Sequence, residues 1–281
     1  MQLEATTRGE DITRLARQTA EEGLEAFFIV GGDGSVNLAT AGLIHTNTAL
    51  GVLPAGTANV WAQELGLPGL NWTRWTALEE SAHRLADAQV YAVDVGLCNG
   101  VPFLLWAGMG LDGFVVRRIE PRSRWMKHFA VAQYAATAVW NATTWHGLNL
   151  NFELEGKKLE GHYLLAVVSN IHLYAGGIAR ISPAARLDDG KMDLWLFEGE
   201  TLGDTVMHAW GLLSGRHVKS KNVLRFPFSS LSVDTDSPLF IQYDGEPMEG
   251  DHHATIEVLP KALHVLVPGK TPHILFERGL S

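Results

Sequence analysis

The sequence contains a single cysteine, Cys98, which excludes an internal disulfide framework and favours a reducing compartment. Because Cys98 lies in an apolar, strand-like run, we interpret it as a small buried hydrophobic residue and not as a nucleophile. Long apolar runs are also missing, since none approaches the roughly 20 residues that a membrane-spanning helix needs. The first residues show no basic segment followed by an apolar core, so no secretion signal is expected. These absences predict a cytoplasmic protein.

Basic residues are scarce as well. The 281 residues include 22 Lys and Arg against 31 Asp and Glu, a net charge of −9. A chain this acidic is a poor ligand for nucleic acid, so we predict no nucleic-acid partner. Internal repeats and low-complexity segments are absent too. The hydrophobic content of 46% is enough for a large core and for two domains.

The rest of the chain is organised around residues 27–37, FFIVGGDGSVN. A short apolar strand ends in a turn of three glycines, and a helical pattern capped by Ser35 follows. Glycines allow close backbone approach to an anion, and helix-start amides supply donors, so this arrangement is typical of phosphate binding. Asp33 would repel a bare phosphate, which indicates a bridging cation or a role in polarising a nucleophile. An ordinary tight turn is the alternative.

A second strand–turn–helix unit follows directly. The apolar strand 49–53 stops at PAGTAN (54–59), and a helix runs to Leu65. An earlier helix is capped by Asp11 and ends at Gly23. Alternating short strands and helices predict a parallel sheet covered on both faces, with ligands beyond the carboxyl ends of its strands.

The pattern changes near Asp94, where we predict the boundary between domains 1–93 and 94–281. A hairpin with an Asn99-Gly100 turn opens a largely antiparallel part. The predicted fold class is therefore α/β, with an N-terminal α/β domain and a larger β-rich domain. Its further strands are predicted at 148–154, 163–169, 192–197, 223–228, 239–243, 256–259 and 263–267, and its helices at 125–144 and 201–213.

The late Asp-Gly-Glu segment is a second candidate for chemistry. In an extended segment, Asp244 and Glu246 project to the same face, and Gly245 leaves room for a ligand. Two such carboxylates suit a divalent cation or a general base. A solvated Asp-Gly hairpin turn is the alternative.

Together these segments resemble the bacterial diacylglycerol kinase and related lipid kinase family, whose catalytic domain is shared with sphingosine and ceramide kinases. The family pattern is G-G-D-G-T, then L-P-x-G-T-x-N, then a leucine-glycine-isoleucine-proline-like end. The matching segments are GGDGS (31–35), LPAGTAN (53–59), LGLP (65–68), VDVG (93–96), GG (176–177), PAA (183–185), DDGKMD (188–193) and YDGE (243–246).

The resemblance implies a nucleotide-binding α/β domain, a β-rich domain, and an active site in the cleft between them. It implies transfer of the ATP γ-phosphoryl group to a lipid hydroxyl, with Mg²⁺ as cofactor. The first expected acceptor is diacylglycerol, which would give phosphatidic acid. Glu246 would be the general base, beside Asp33 and Asp244. Thr6 would end an early strand and touch the nucleotide. The other positions implied to contact nucleotide are Gly31, Gly32, Asp33, Gly34, Ser35, Val36, Asn37, Leu38, Gly56, Thr57 and Asn59.

A structural Mg²⁺ site is also implied, with the Asp189 side chain and the carbonyl oxygens of Arg186 and Lys191 as ligands. A plain acidic turn is the alternative. Residues 117–129 place five basic residues beside large apolar ones, which predicts a membrane-facing lip and a location at the inner membrane surface. The start of a solvated helix is the alternative there.

The chain departs from the family pattern in three respects. Ser35 replaces Thr, and Val60 stands where many members have Asp. No segment matches the N-P-x-S/A-G loop of the usual first strand, so we expect a sheet that lacks that strand. The exposed edge of such a sheet could pair with a second copy, so a homodimer is one expectation. Two alternatives follow: a nucleotide- or lipid-binding protein without activity, and a kinase of the NAD kinase or phosphofructokinase type, which shares the glycine turn. Residues 53–59 favour a lipid kinase.

Overall fold

The computed structural model describes residues 2–69, 76–119, 145–248 and 251–277, without the side chains of 116–119. The described α-helices are α1 Gly9–Glu21, α2 Asp33–Leu43, α3 Val60–Glu64, α4 Ala77–Ala86, α5 Leu111–Ile119 and α6 Leu202–Leu213. The described strands are β1 Ala26–Gly31, β2 Ala49–Pro54, β3 Gln89–Cys98, β4 Val101–Phe103, β5 Trp106–Gly110, β6 Leu148–Leu154, β7 Lys157–Ser169, β8 Leu173–Tyr174, β9 Ala179–Arg180, β10 Met192–Glu198, β11 Val223–Phe228, β12 Ser230–Asp234, β13 Ile241–Tyr243, β14 Glu246–Met248 and β15 His253–Val267.

The N-terminal part has the predicted parallel sheet. Strand β1 pairs with β2 in parallel, from Ala26 opposite Ala49 to Gly31 opposite Pro54. Strand β2 also pairs in parallel with β15, at Leu50 and Val265. In the described sheet β1 lies at the edge, so the expectation of an edge strand here is confirmed.

Strands β3 and β15 join the two parts of the molecule. Each is long enough to cross both, and they pair in antiparallel fashion over most of their length. Strand β3 passes through Asp94 without a break, and the end of β15 returns to the N-terminal sheet. A boundary at 93/94 therefore stays a prediction, and the N-terminal part includes residues from the end of the chain.

The C-terminal part is antiparallel, as predicted. The Asn99-Gly100 hairpin is confirmed, with φ of 48° and 79° at the two turn residues. The predicted strands at 256–259 and 263–267 form one strand with a bulge, where Lys261 has φ of 51°. Strand β12 was not predicted, because only Ser229 separates its five residues from β11 and no Gly, Pro, Asn or Asp marks a turn there.

Helix starts differ from the predictions by one to three residues. Helix α1 begins before Asp11, and α2 begins at Asp33 with Gly32 as N-cap, so Ser35 is not a cap. Helix α6 begins after Thr201, whose side chain forms a capping box with Asp204. The predicted helix 125–144 and the basic segment beyond residue 119 lie outside the described residues. None of the described helices has the length and apolar composition that a membrane crossing requires.

Two apolar cores support these parts. The first joins the N-terminal helices and strands to Trp195 and Phe197 of β10 and to Leu275 and Phe276 near the C-terminus. The second fills the antiparallel part and includes Cys98, which is fully buried. Burial raises the pKa of the Cys98 thiol to about 12, which agrees with a packing role.

Candidate active site

The two glycine turns of the N-terminal sheet lie against each other. A Cβ atom on Gly56 would lie 2.5 Å from the Cα atom of Gly32, and a Cβ atom on Gly32 would lie 3.1 Å from the Cα atom of Gly56. Because backbone meets backbone here, neither position has room for a side chain. The carboxyl ends of β1 and β2 therefore meet as one surface, as expected for parallel strands.

Asp33 lies between these turns and the start of α3. Its Oδ1 atom accepts a hydrogen bond of 3.1 Å from the backbone N–H of Trp61. Burial raises the pKa of the Asp33 carboxyl, and backbone N–H groups at Val60 and Trp61 oppose this shift. The side chain of Val60 is buried in the first core, so this position supports Asp33 through its backbone alone.

The second turn is closed by Asn59, which has φ of 52°. Its side-chain oxygen accepts from the N–H of Gly56, and its side-chain nitrogen donates to the oxygen of Gly56, both at 2.8 Å. Asn59 is buried and Thr57 is exposed at the tip of the turn. Asn59 thus shapes the turn, and Thr57 is the side chain that a ligand can reach.

The first turn of α2 holds most of the predicted nucleotide contacts. A Cβ atom on Gly31 would lie 2.8 Å from the hydroxyl oxygen of Ser35, so Ser35 folds back over the end of β1. Val36 and Asn37 are buried, whereas Leu38 is partly exposed. Thr6 lies in irregular, exposed chain before α1, so its predicted place at the end of a strand is wrong.

Glu246 reaches this turn from the other end of the sequence. A Cβ atom on Gly34 would lie 3.7 Å from the Oε1 atom of Glu246. The side chain of Glu246 is exposed, at the first position of β14. The structure therefore brings the Asp-Gly-Glu segment to the glycine turn.

Asp244 and Gly245 form a two-residue hairpin turn, with φ of 47° and 86°. The expectation of an extended segment with both carboxylates on one face is wrong, because Asp-Gly favours positive φ at both turn positions. The Asp244 carboxylate is buried and accepts backbone N–H groups of Leu104, Leu105 and Trp106 at 2.8 to 3.1 Å. The pKa of Asp244 is raised to about 7. Burial is the main cause and the charge of Asp33 adds to it, whereas the three hydrogen bonds act in the opposite direction.

This hairpin is held by Gln242 and Asp112, which no sequence motif singled out. The Gln242 side chain accepts from the N–H of Gly245 at 2.8 Å and donates to the Asp112 carboxylate at 2.6 Å. A Cβ atom on Gly108 would overlap that carboxylate. The glycines at 108, 110 and 113 around Asp112 were a signal for this close packing.

The predicted structural metal site lies beside Asp94. The Asp94 carboxylate accepts the N–H groups of Gly190 and Lys261, both at 2.7 Å, and burial raises its pKa to about 6. Asp189 accepts from the N–H of Lys191 at 3.0 Å. Within the described ranges, no three His, Cys, Asp or Glu side chains are grouped to hold a metal ion. A site at Asp189 would therefore need the carbonyl oxygens of Arg186 and Lys191, and it stays a prediction.

Comparison with known families agrees with this geometry. The diacylglycerol kinase catalytic domain matches residues 1–98, and the YegS C-terminal NAD kinase beta sandwich-like domain matches residues 106–267. A candidate diacylglycerol kinase from Bacillus anthracis str. Sterne has the same fold in its crystal structure. Its TM-score is 0.75 at 22% identity, and the match covers 95% of this chain and 86% of that one.

Curated relatives extend the match to most of the chain. Diacylglycerol kinase of Bacillus subtilis (strain 168) is 24% identical over 94% of this chain and 84% of its own length. The Pseudomonas aeruginosa (strain UCBPP-PA14) protein named probable lipid kinase YegS-like is 30% identical, over 92% and 82% respectively. An uncharacterized protein of Synechocystis is 26% identical over 95% of this chain, which spans 61% of that protein's length. The chain therefore belongs to the family of diacylglycerol kinases and YegS-like lipid kinases.

Proposed function

We propose that this protein transfers the γ-phosphoryl group of ATP to the hydroxyl group of a membrane lipid, with diacylglycerol as the first acceptor to test. The observation that carries the proposal is the position of Glu246 beside Gly34. This contact joins a carboxylate that can accept a proton to a glycine turn that can hold phosphates.

In the proposed reaction Glu246 takes the proton from the lipid hydroxyl, and the hydroxyl oxygen forms the new bond to the γ-phosphorus atom. The bond between that phosphorus and the β,γ-bridging oxygen breaks, and ADP leaves with the bonding electrons. The start of α2 and the turn at Gly56 bind and orient the phosphates. Asp244 positions Glu246 by fixing the hairpin to β5.

The Asp33 carboxylate beside the glycine turn fits a divalent cation. It would supply a hard oxygen ligand, and its raised pKa reflects burial that a cation would offset. Mg²⁺ bound there would neutralise charge on the phosphates. The peripheral membrane location belongs to this proposal, because the acceptor lies in a bilayer.

Thin-layer chromatography of labelled products from [γ-³²P]ATP tests the proposal. Diacylglycerol, ceramide, NAD and fructose 6-phosphate are supplied in parallel with Mg²⁺. We expect a labelled lipid, and we expect the E246Q variant to form it at least about a hundredfold more slowly. Labelled NADP or fructose bisphosphate would favour the other kinase class. ATP binding without a product from any acceptor would favour the non-enzymatic alternative.

A further inference from the structure

Helix α6 has apolar residues on its outer as well as its inner face. On the inner face, Leu212 is buried in the first core. The ring of His208 packs edge-on against the ring of Phe197, with 5.3 Å between the ring centroids. The large apolar residues of the outer face are 42 to 64% exposed; they are Leu202, Val206, Met207, Trp210 and Leu213. A surface helix ordinarily presents polar residues to water on that side.

The exposed residues form one stripe. At 3.6 residues per turn, the side chains of 202, 206, 210 and 213 lie within roughly 80° of the helix circumference. Val218, which is also exposed, lies in the short 3-10 turn His217–Lys219 that follows the helix. His217 fixes this turn beside the helix, since its ring nitrogens lie 3.3 Å from the carbonyl oxygen of Gly211 and 2.8 Å from that of Ile181. We call the five α6 residues and Val218 the α6 patch.

Beyond the N-terminal end of the α6 patch, where Glu200 and Asp204 lie, the charge is opposite to that of the whole chain. Residues 205–233 contain no Asp or Glu but four Lys and Arg, in a protein of net charge −9. Arg225 pairs with Asp193 at 2.9 Å. The other three bases, Arg216, Lys219 and Lys221, are exposed directly after the helix.

From this combination we infer that the α6 patch docks the protein on an anionic lipid bilayer. An apolar stripe with tryptophan enters the boundary between headgroups and acyl chains, while the adjacent bases contact anionic headgroups. A second copy of the chain is the competing occupant, and the test below distinguishes it from a bilayer. This inference rests on the proposed function, because docking would bring the protein to a lipid acceptor. The surface itself lies outside the candidate active site.

Binding of the full chain to vesicles tests the inference directly. Sucrose-loaded vesicles of phosphatidylcholine alone, or with phosphatidylglycerol, are sedimented with the wild type and three variants. V206S/W210S removes the centre of the stripe, and R216Q/K219Q/K221Q removes the bases. V90S/I274S is the matched control, because Val90 and Ile274 are 54% and 59% exposed outside the patch.

We expect the wild type and the control to bind phosphatidylglycerol vesicles, and both patch variants to bind them about tenfold or more weakly. Equal binding by wild type and both patch variants would overturn the inference. So would equal wild-type binding to both vesicle types, or a wild-type dimer in sedimentation equilibrium that V206S/W210S converts to a monomer. Phosphorylation of a dispersed short-chain diacylglycerol is measured separately. If neither the wild type nor any variant phosphorylates it, the proposed function fails. Vesicle binding then still shows whether the α6 patch docks on a bilayer.

Discussion

The Glu64 carboxylate and the His172 ring meet at 2.9 Å between the two parts of the molecule. Glu64 ends α3, and His172 lies in the connection between β7 and β8. Both are buried, and the same carboxylate accepts the backbone N–H groups of His172 and Leu173. The other ring nitrogen of His172 donates to the oxygen of Ala185 at 3.0 Å. This pair ties the helix beside Asp33 to the C-terminal part.

Replacement of Glu64 by Gln should lower the free energy of unfolding by about 3–5 kcal/mol, because it breaks a buried pair on one side. Guanidinium denaturation followed by circular dichroism measures the change. Glu79→Gln is the control, since Glu79 and His83 form an exposed pair at 4.0 Å and the expected cost is below about 1 kcal/mol. Equal effects of the two changes would show that the Glu64–His172 pair contributes little.

Glu246→Gln should lower kcat by a factor of about 10² to 10⁴, which is the usual contribution of a general base. The melting temperature and ATP binding should stay at wild-type values, because the side chain is exposed. Steady-state kinetics, differential scanning fluorimetry and ATP titration provide the three readouts. Glu257→Gln, an exposed carboxylate in β15, is the control. A wild-type kcat for Glu246→Gln would remove Glu246 from the mechanism.

Gly56→Ala should lower kcat/KM for ATP by about tenfold or more, because the new methyl group would push the two glycine turns apart. The same assay applies, with ATP varied at fixed acceptor. Gly269→Ala is the matched control, since a Cβ atom there meets nothing within 4 Å. If both variants keep the wild-type KM for ATP, these turns do not hold the nucleotide.

Stability should fall as the pH rises between about 4 and 7. Burial raises the pKa of Asp244 from 3.8 to about 7, so the folded protein binds more protons than the unfolded chain in this range. The stabilisation from the protonated form is present below the unfolded pKa and is lost as the pH passes the folded pKa. Asp94, with a pKa raised to about 6, acts in the same direction.

Denaturation curves at pH 5 and pH 8 measure this fall, and Asp244→Asn should reduce it. At pH 5 the same variant should also lose about 1–3 kcal/mol, because an amide cannot accept all three backbone N–H groups. An increase in stability from pH 5 to pH 8, unchanged in Asp244→Asn, would contradict the assignment.

Local patterns predicted the elements of the site well where they depend on a few neighbouring residues. The strand-to-helix turns at Gly31–Asp33 and Pro54–Asn59 follow from apolar runs that end in glycine. The Asn99-Gly100 hairpin follows from turn residues that favour positive φ. Thr6 and the Asp244–Glu246 segment were wrong in their local geometry. At Asp244 the turn preference of Asp-Gly outweighs the extended conformation that would place both carboxylates on one face.

By itself, the sequence determined the parallel order of the first strands, the antiparallel character of the rest, and the family to which the chain belongs. Tertiary structure alone decided that Glu246 lies against Gly34, that Asp244 is buried under three backbone N–H groups, and that the end of β15 returns to the N-terminal sheet. The physical reason is range. Periodicity and turn preference act over a few residues, whereas these contacts join positions more than 100 residues apart and depend on how the whole core packs.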